Sequence, residues 1–336
     1  MNIIPTNNIG KKNNAQFVSK VLKNYEDFHN EWKNSNYFES HLNKNKIIFI
    51  DETIQDVGAF KIRGAITGIN NILKKNPKIT SIVCASSGSF GISVANVCKR
   101  KKINCIVFIP KNSSLIKKEK ILSLNSIIDE NNENYDDAKK NAKKYSNVNS
   151  NFFYIDGCRE DIFWGNGSIV VELINKYSNL DKNFLKKKIA MILPVGVGSL
   201  ASPSSILLKH FFNNSSIITV ETLNFCKFYN NFNTSIKPTF KETIAEGVAV
   251  KKLPLLSYNI LKKNVDFVSI IDETKIYEAM KYLFKNFKIV SEGAGALATA
   301  LFINNKIFFK NYDYVFIPIC GKNIEKKKFN KIILNS

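Results

Sequence analysis

The sequence predicts an α/β fold built on doubly wound parallel sheet. Three observations carry that expectation. Short β-rich runs alternate with helical patterns along most of the chain, the runs are continuously apolar, and several break at their carboxyl ends into short glycine-bearing polar loops. Continuously apolar strands imply a sheet covered on both faces. Right-handed crossovers then make winding in both directions the default. With 336 residues, 44% of them hydrophobic and 12% aromatic, the chain can bury the core of one large or two modest domains.

The elements follow in order. The first 14 residues are expected to be loosely ordered. "KIIFID" (46–51) reads as a strand, and "GAITGINNILKK" (64–75) as a helix with Ile66, Ile69 and Leu73 on one face. "SIVCA" (81–85) is a strand, and "SFGISVANVCKRKK" (89–102) a helix carrying Ile92, Ala95 and Cys98. "NCIVFIP" (104–110) is a strand closed by its proline, "SSLIKKEKILSL" (113–124) a helix with a serine cap, and "SIID" (126–129) a short strand. A helix at 135–146 and strands at 152–156, 189–194, 216–221 and 313–318 complete the pattern. The polar stretches 130–137 and 230–238 read as surface loops, and no repeat or coiled coil is present.

No apolar run reaches membrane-spanning length, and the N-terminus does not read as a secretory signal. The six cysteines form no C-x-x-C pair, which argues against a zinc ribbon or redox dithiol and fits a reducing cytoplasm. The net charge of +21 raises a nucleic-acid role. Against it, the arginines are only Arg63, Arg100 and Arg159, and the lysines are spread along the whole chain. Phosphate and base recognition favours the arginine fork and a clustered footprint. No nucleic-acid or membrane partner is therefore expected.

Chemistry in such sheets sits beyond the carboxyl ends of strands, where four glycine-bearing stretches stand. "VGAFKIRGA" (57–65) puts Lys61 between Phe60 and Ile62. That lysine either snorkels to solvent or is held for a chemical use. "CASSGSFG" (84–91) either caps a helix through Ser87 or Ser89 or offers hydroxyls and amides to an anion. "LPVGVGSLASP" (193–203) has the shape of a phosphate cradle, but it is neither G-x-G-x-x-G nor a Walker loop. A small phosphate ester suits it better than a nucleotide. "FIPICGKN" (316–323) ends a strand at Cys320, whose thiol is either packing or part of the same site.

One ligand unifies the four: an aldehyde phosphate that bonds a lysine. In this order the set resembles the fold-type II pyridoxal-phosphate enzymes, in their serine/threonine dehydratase and serine racemase branch, within the tryptophan synthase beta-like superfamily. "AFKIRGA" is similar to that family's Ser-Phe-Lys-x-Arg-Gly-Ala, "SSGSFG" to its Ser-Ser-Gly-Asn-His, and "PVGVGSL" to its Pro-Val-Gly-Gly-Gly-Gly-Leu. "GNGSIVVEL" (165–173), "TIAEGVAV" (243–250), "SEGAGALATAL" (291–301) and "CGKN" resemble four further family segments. The departures are Ser89 for asparagine, Phe90 for histidine, and Gly196-Val197-Gly198-Ser199 for tetraglycine. The usual Pro-Thr-Pro-Leu is absent, and "NYFESHL" (36–42) stands roughly there.

The resemblance implies two doubly wound parallel-sheet domains: a large one from 1–70 plus 160–336, and a small one, 71–159, inserted in it. It implies pyridoxal 5'-phosphate as cofactor, bonded to Lys61 as a Schiff base. Phe60, Ser89, Gly196, Val197, Gly198, Ser199, Leu200, Glu292 and Cys320 would line the cofactor, with Cys320 at the pyridine nitrogen. Ser86, Ser87, Gly88, Ser89 and Phe90 would hold the substrate. Lys61 and Ser87 would be catalytic, Ser87 at the position of the racemases' opposite-face acid/base. The implied reaction is β-elimination of L-serine or L-threonine to a 2-oxo acid and ammonia, in a cytoplasmic homodimer. The alternatives are β-replacement, diaminopropionate-lyase-like or racemase activity, or a non-catalytic binding protein. No metal is expected, because cation-using racemases pair a glutamate with an aspartate six residues on, and Glu221 is followed by Lys227 at that spacing.

Overall fold

A computed structural model of the chain describes residues 3–6 and 14–334. In chain order its strands and helices are β1 (Ile3–Pro5), α1 (Ala15–Phe28), β2 (Asn36–Leu42), β3 (Asn45–Asp51), α2 (Lys61–Lys75), β4 (Ser81–Ala85), α3 (Ser89–Lys101) and β5 (Asn104–Pro110). Next come α4 (Leu115–Leu122), β6 (Ile127–Asn132), α5 (Tyr135–Ser146), β7 (Phe152–Tyr154), α6 (Glu160–Leu180), β8 (Ile189–Pro194) and α7 (Ala201–Phe211). The chain closes with β9 (Ser215–Thr222), α8 (Leu255–Asn264), β10 (Phe267–Ile271), α9 (Glu273–Phe287), α10 (Gly293–Asn304), β11 (Tyr314–Ile319) and α11 (Lys326–Leu334).

Two sheets result. The larger runs β1-β10-β9-β8-β11-β3-β2 and the smaller β6-β5-β4-β7. All pairings are parallel except the two outermost of the large sheet, β1 with β10 and β2 with β3. The side-chain alternation of a pleated strand splits the apolar runs between two cores. On β3, Ile48 and Ile50 face one core while Ile47 and Phe49 face the other; on β8, Met191 and Leu193 oppose Ala190 and Ile192. Residues of α1, α6 and α7 cover the first face and residues of α9 and α10 the second. This is why the strands read as unbroken hydrophobic runs.

Strand order also places the loops. From β8 the chain moves to β9 on one side, whereas β11 and β3 lie on the other. The carboxyl ends of β8, β11 and β3 therefore open side by side at a switch point, where such sheets bind ligands. β4 belongs to the second sheet and brings its own loop to the same cleft.

Three expectations need correction. Ile3–Pro5 is a strand, because the apolar Ile3 packs on the core beside β10 while the backbone pairs antiparallel; residues 7–13 of the stretch expected to be loose lie outside the described residues. Residues 36–42 pair antiparallel with β3, so the large sheet is not purely parallel. The loop expected at 130–137 is instead the end of β6 and the start of α5, which Asn134 caps by accepting from the N–H groups of Asp136 and Asp137.

Beneath the site lies a buried ionic cluster. Arg63, on the first turn of α2, is fully buried. Its Nε and Nη2 donate to the two oxygens of Glu52 at 2.8 Å each, and its Nη1 donates to Glu172 on α6 at 2.6 Å and to Ser168 at 3.0 Å. Trp32 stacks over the guanidinium at 5.5 Å and donates its indole N–H to Glu172. Burial works against ionisation of Glu172, but Arg63 outweighs it and holds that carboxyl low; burial wins at Glu52 and pushes it up. Close helix packing makes this reach possible: a Cβ on Gly165 of α6 would stand 2.4 Å from the Arg63 carbonyl.

Replacing Arg63 with methionine strands two buried carboxylates. It is expected to lower stability by about 3–5 kcal/mol, the cost of breaking a buried pair from one side. Denaturant unfolding measures this. Arg63→Lys, which keeps charge but loses the fork, should fall between the parent and Arg63→Met.

Candidate active site

Lys61 is the first residue of α2, and the turn that delivers it is held at both ends. The Phe60 N–H donates to the Cys320 carbonyl at 3.1 Å, and the Lys322 N–H donates to the Gly58 carbonyl at 2.9 Å. Loop and strand end are thereby stitched together around an isolated bridge between Ala59 and Gly321. The Lys61 side chain has no ion-pair or hydrogen-bond partner among the described residues. Desolvation lowers its pKa, against the opposing pull of Glu292 and Cys320. The positive end of the α2 dipole acts in the same direction. An amine in this setting is biased to the neutral, nucleophilic form.

The loop after β8 has the cradle shape. Gly198 sits at φ +81°, and a Cβ there would lie 2.7 Å from Cβ of Ser257. Ser257 donates its hydroxyl to the Val197 carbonyl at 2.6 Å. The Ser199 carbonyl accepts from Asn166 Nδ2 at 3.0 Å, while Asn166 Oδ1 accepts from the Gly64 N–H at 3.1 Å. One α6 amide thus ties the cradle to the helix that carries Lys61. The backbone N–H groups of Gly196 to Ser199 have no acceptor among the described residues. Leu200 precedes α7, and the hydroxyl of Ser202 in the first turn of that helix is buried without a partner. A ring of unpaired donors around a glycine turn fits a phosphate.

Cys320 is buried, and burial with the nearby Glu292 carboxylate pushes its thiol up, so it stays neutral. Glu292 stands at the N-cap of α10, its carboxyl raised by burial against the pull of Lys117 and Lys61.

The serine loop lies across the cleft. Ser86 accepts from the Gly88 N–H at 3.2 Å, and Gly88 precedes α3 with no side-chain cap. The capping reading of Ser87 and Ser89 is therefore corrected: Gly88 holds the N-cap position and Ser89 is already the first residue of α3. Ser89 is buried and accepts from Asn323 Nδ2 at 2.9 Å, and Phe90 is buried against Gly157. Lys120 donates to Asn323 Oδ1 at 2.7 Å, and Lys117 reaches Glu246 at 2.6 Å. α4 thus bridges the two sides of the cleft.

The structure brings Lys61, Phe60, Gly196–Leu200, Cys320 and Glu292 to adjoining strand ends of one sheet and Ser86–Phe90 opposite them. Asn166, Ser257, Asn323 and Lys117 received no role from sequence reasoning. Asn166 and Asn323 stand inside quoted motifs, which was their available signal; Ser257 and Lys117 carry none. Glu221 and Lys227, the two positions compared with the cation-using racemases, form an ion pair at 2.9 Å.

Gly198→Val should weaken retention of pyridoxal phosphate far more than Ser199→Ala, since it adds both strain at positive φ and a clash with Ser257. Equilibrium dialysis of the purified protein measures the difference.

Comparison with known proteins gives the family and the fold. Residues 33–321 match the family model described as pyridoxal-phosphate dependent enzyme. The L-threonine ammonia-lyase of Thermotoga maritima is 28% identical over 284 residues, 84% of this chain and 68% of that protein. The biosynthetic L-threonine dehydratase of Pasteurella multocida is 27% identical over 259 residues, 76% of this chain, which spans only 48% of that longer protein. The fold superposes on diaminopropionate ammonia lyase of Escherichia coli with a TM-score of 0.86 at 17% identity, covering 99% of this chain and 96% of that one. No helix among the described residues is long and apolar enough to cross a membrane. The chain belongs to the pyridoxal-phosphate-dependent enzyme family matched over residues 33–321.

Proposed function

We propose that the chain is a lyase that converts L-serine or L-threonine to the 2-oxo acid and ammonia, the water lost with the β-hydroxyl being returned when the resulting imine is hydrolysed. The observation that carries this reading is the unpaired, desolvated Lys61 amine beside a neutral Cys320 thiol. Bound pyridoxal phosphate supplies the electron sink at the substrate's Cα. Lys61 holds the cofactor and, once released, takes the Cα proton. Gly196–Ser199 grip the phosphate through backbone N–H groups. A neutral thiol cannot keep the pyridine nitrogen protonated as a carboxylate can. Cys320 would therefore leave the bound group a weaker electron sink, a setting that would suit a substrate carrying a β-hydroxyl to lose.

Ser86, Ser87 and the amides around Gly88 bind the substrate α-carboxylate. That loop contains no arginine for a second carboxylate, which favours a small hydroxy amino acid. The similarity to threonine ammonia-lyases supports the same class. The reading includes a homodimer in the cytoplasm.

Two measurements test it. The purified protein should be yellow, and borohydride should fix the colour onto the peptide that contains Lys61; Lys61→Ala should lose turnover by about 10²–10⁴-fold or more, since base and attachment go together. A colourless protein that takes up no pyridoxal phosphate would support the non-catalytic alternative. Incubation with L-serine or L-threonine should release ammonia and the matching 2-oxo acid in equal amounts. Formation of the D-enantiomer alone would move the assignment to racemase, with Ser87 as second base. Turnover only with O-acetylserine and a nucleophile would move it to β-replacement.

A further inference from the structure

Lys227 follows β9 and buries its side chain to 6% exposure, against a Glu221 side chain at 2%. Its ammonium donates to Glu221 at 2.9 Å and to the Val195 carbonyl at 3.1 Å. Glu221 is fixed in turn by the N–H groups of Phe228 at 2.9 Å and Tyr229 at 2.7 Å. Burying such a charge is costly, and an apolar pair of similar volume would serve stability as well or better. What an apolar pair cannot supply is direction at the Val195 carbonyl.

That carbonyl is a sensitive one. Val195 is the last residue before the glycine loop, and its own N–H is held by the Val220 carbonyl at 3.0 Å. No peptide bond among the described residues is cis. In a trans peptide the C=O and the following N–H point in opposite directions. Holding the Val195 carbonyl on Lys227 therefore turns the Gly196 N–H away from Lys227. Glycine at 196 offers little steric resistance to rotation of this unit. A flipped peptide would present a carbonyl oxygen where an anion needs a donor.

We propose that Lys227 is a positioning residue for the cofactor phosphate: a tethered cation, held by Glu221, that locks the 195–196 peptide with the Gly196 N–H directed into the cradle. The proposal rests on the reading of Gly196–Ser199 as the phosphate site.

The test compares Lys227→Ala, which opens a space for an added amine, with Lys227→Met, which keeps volume without charge. For both, equilibrium dialysis reads retention of pyridoxal phosphate, and thermal melting reads the unloaded chain. A charge-assisted hydrogen bond contributes about 1.5–3 kcal/mol, so retention should weaken roughly ten- to a hundredfold in both variants. Both variants leave the buried Glu221 without its partner and should lower the unloaded melting temperature, so retention is compared at a temperature where each unloaded variant is still folded. n-Butylammonium should restore retention in Lys227→Ala in a saturable way, and tetramethylammonium, which has no N–H to donate, should not. Parental retention in Lys227→Met overturns the proposal, as does a loss in Lys227→Ala that n-butylammonium leaves untouched. Should Lys227→Ala fail to fold, retention in Lys227→Met decides alone. Gly198→Val separates the two levels. If it binds cofactor normally, the cradle reading fails; if it loses cofactor while the Lys227 variants keep it, only the role of Lys227 fails.

Discussion

A guanidinium that can neither leave the protein interior nor lose its proton sets the frame of this site. Arg63 is clamped by Glu52 from the end of β3 and by Glu172 from α6. Separating any of the three would bare a charge in the interior, which is far costlier than any single surface contact. The first turn of α2 is therefore fixed in rotation and in height against the sheet. Lys61 lies two residues earlier on the same turn. Its direction is set by a pairing in which it takes no part.

Two cations two residues apart meet the same burial and end shifted in opposite directions. Desolvation lowers both. At Arg63 two carboxylates overcome it and raise the guanidinium above its ordinary value. At Lys61 desolvation outweighs the largest opposing pull, that of Glu292, a carboxyl that burial itself raises. The outcome is one permanent charge that holds structure and one amine freed for chemistry. Arginine could not fill the second role, because it stays protonated in proteins.

How legible this was in the sequence depended on the range of the interaction. Strands such as Ser81–Ala85, Asn104–Pro110 and Ile189–Pro194 read true because apolar continuity is local and both cores demand it. The four glycine loops could be located in the sequence because each is one contiguous stretch that follows a strand. The two edge strands did not, since Ile3–Pro5 is three residues long and Asn36–Leu42 is mostly polar. α1 left a signal that went unread, with Val18 and Val21 on its buried face. The pairs that assemble the site were not legible at all. Asn166 joins Gly64 to Ser199, and Lys117 meets Glu246, across separations of up to 129 residues. Only folding brings such groups together: the motifs around Gly64, Asn166, Ser199 and Glu246 mark each stretch but carry no sign of which residues meet.

Ser89 shows how a departure from family pattern can be reconciled by hydrogen-bond inventory. Asparagine at this position would offer N–H donors to the cleft. A serine hydroxyl has one hydrogen to give and lone pairs with which to accept. Here the accepting side is filled by Asn323 Nδ2, whose other bond goes to the Val57 carbonyl and whose oxygen is taken by Lys120. With its lone pair so engaged, the Ser89 hydroxyl is left to act as a donor. Asn323, from the loop after β11, thus orients a group that begins α3 on the opposite side of the cleft. The direction of the Ser89 hydroxyl therefore depends on Asn323 and on the cleft being bridged. Lys117 and Glu246 make a second contact across the cleft, so α4 is joined both to the loop after β11 that orients Ser89 and to the segment that carries Glu246.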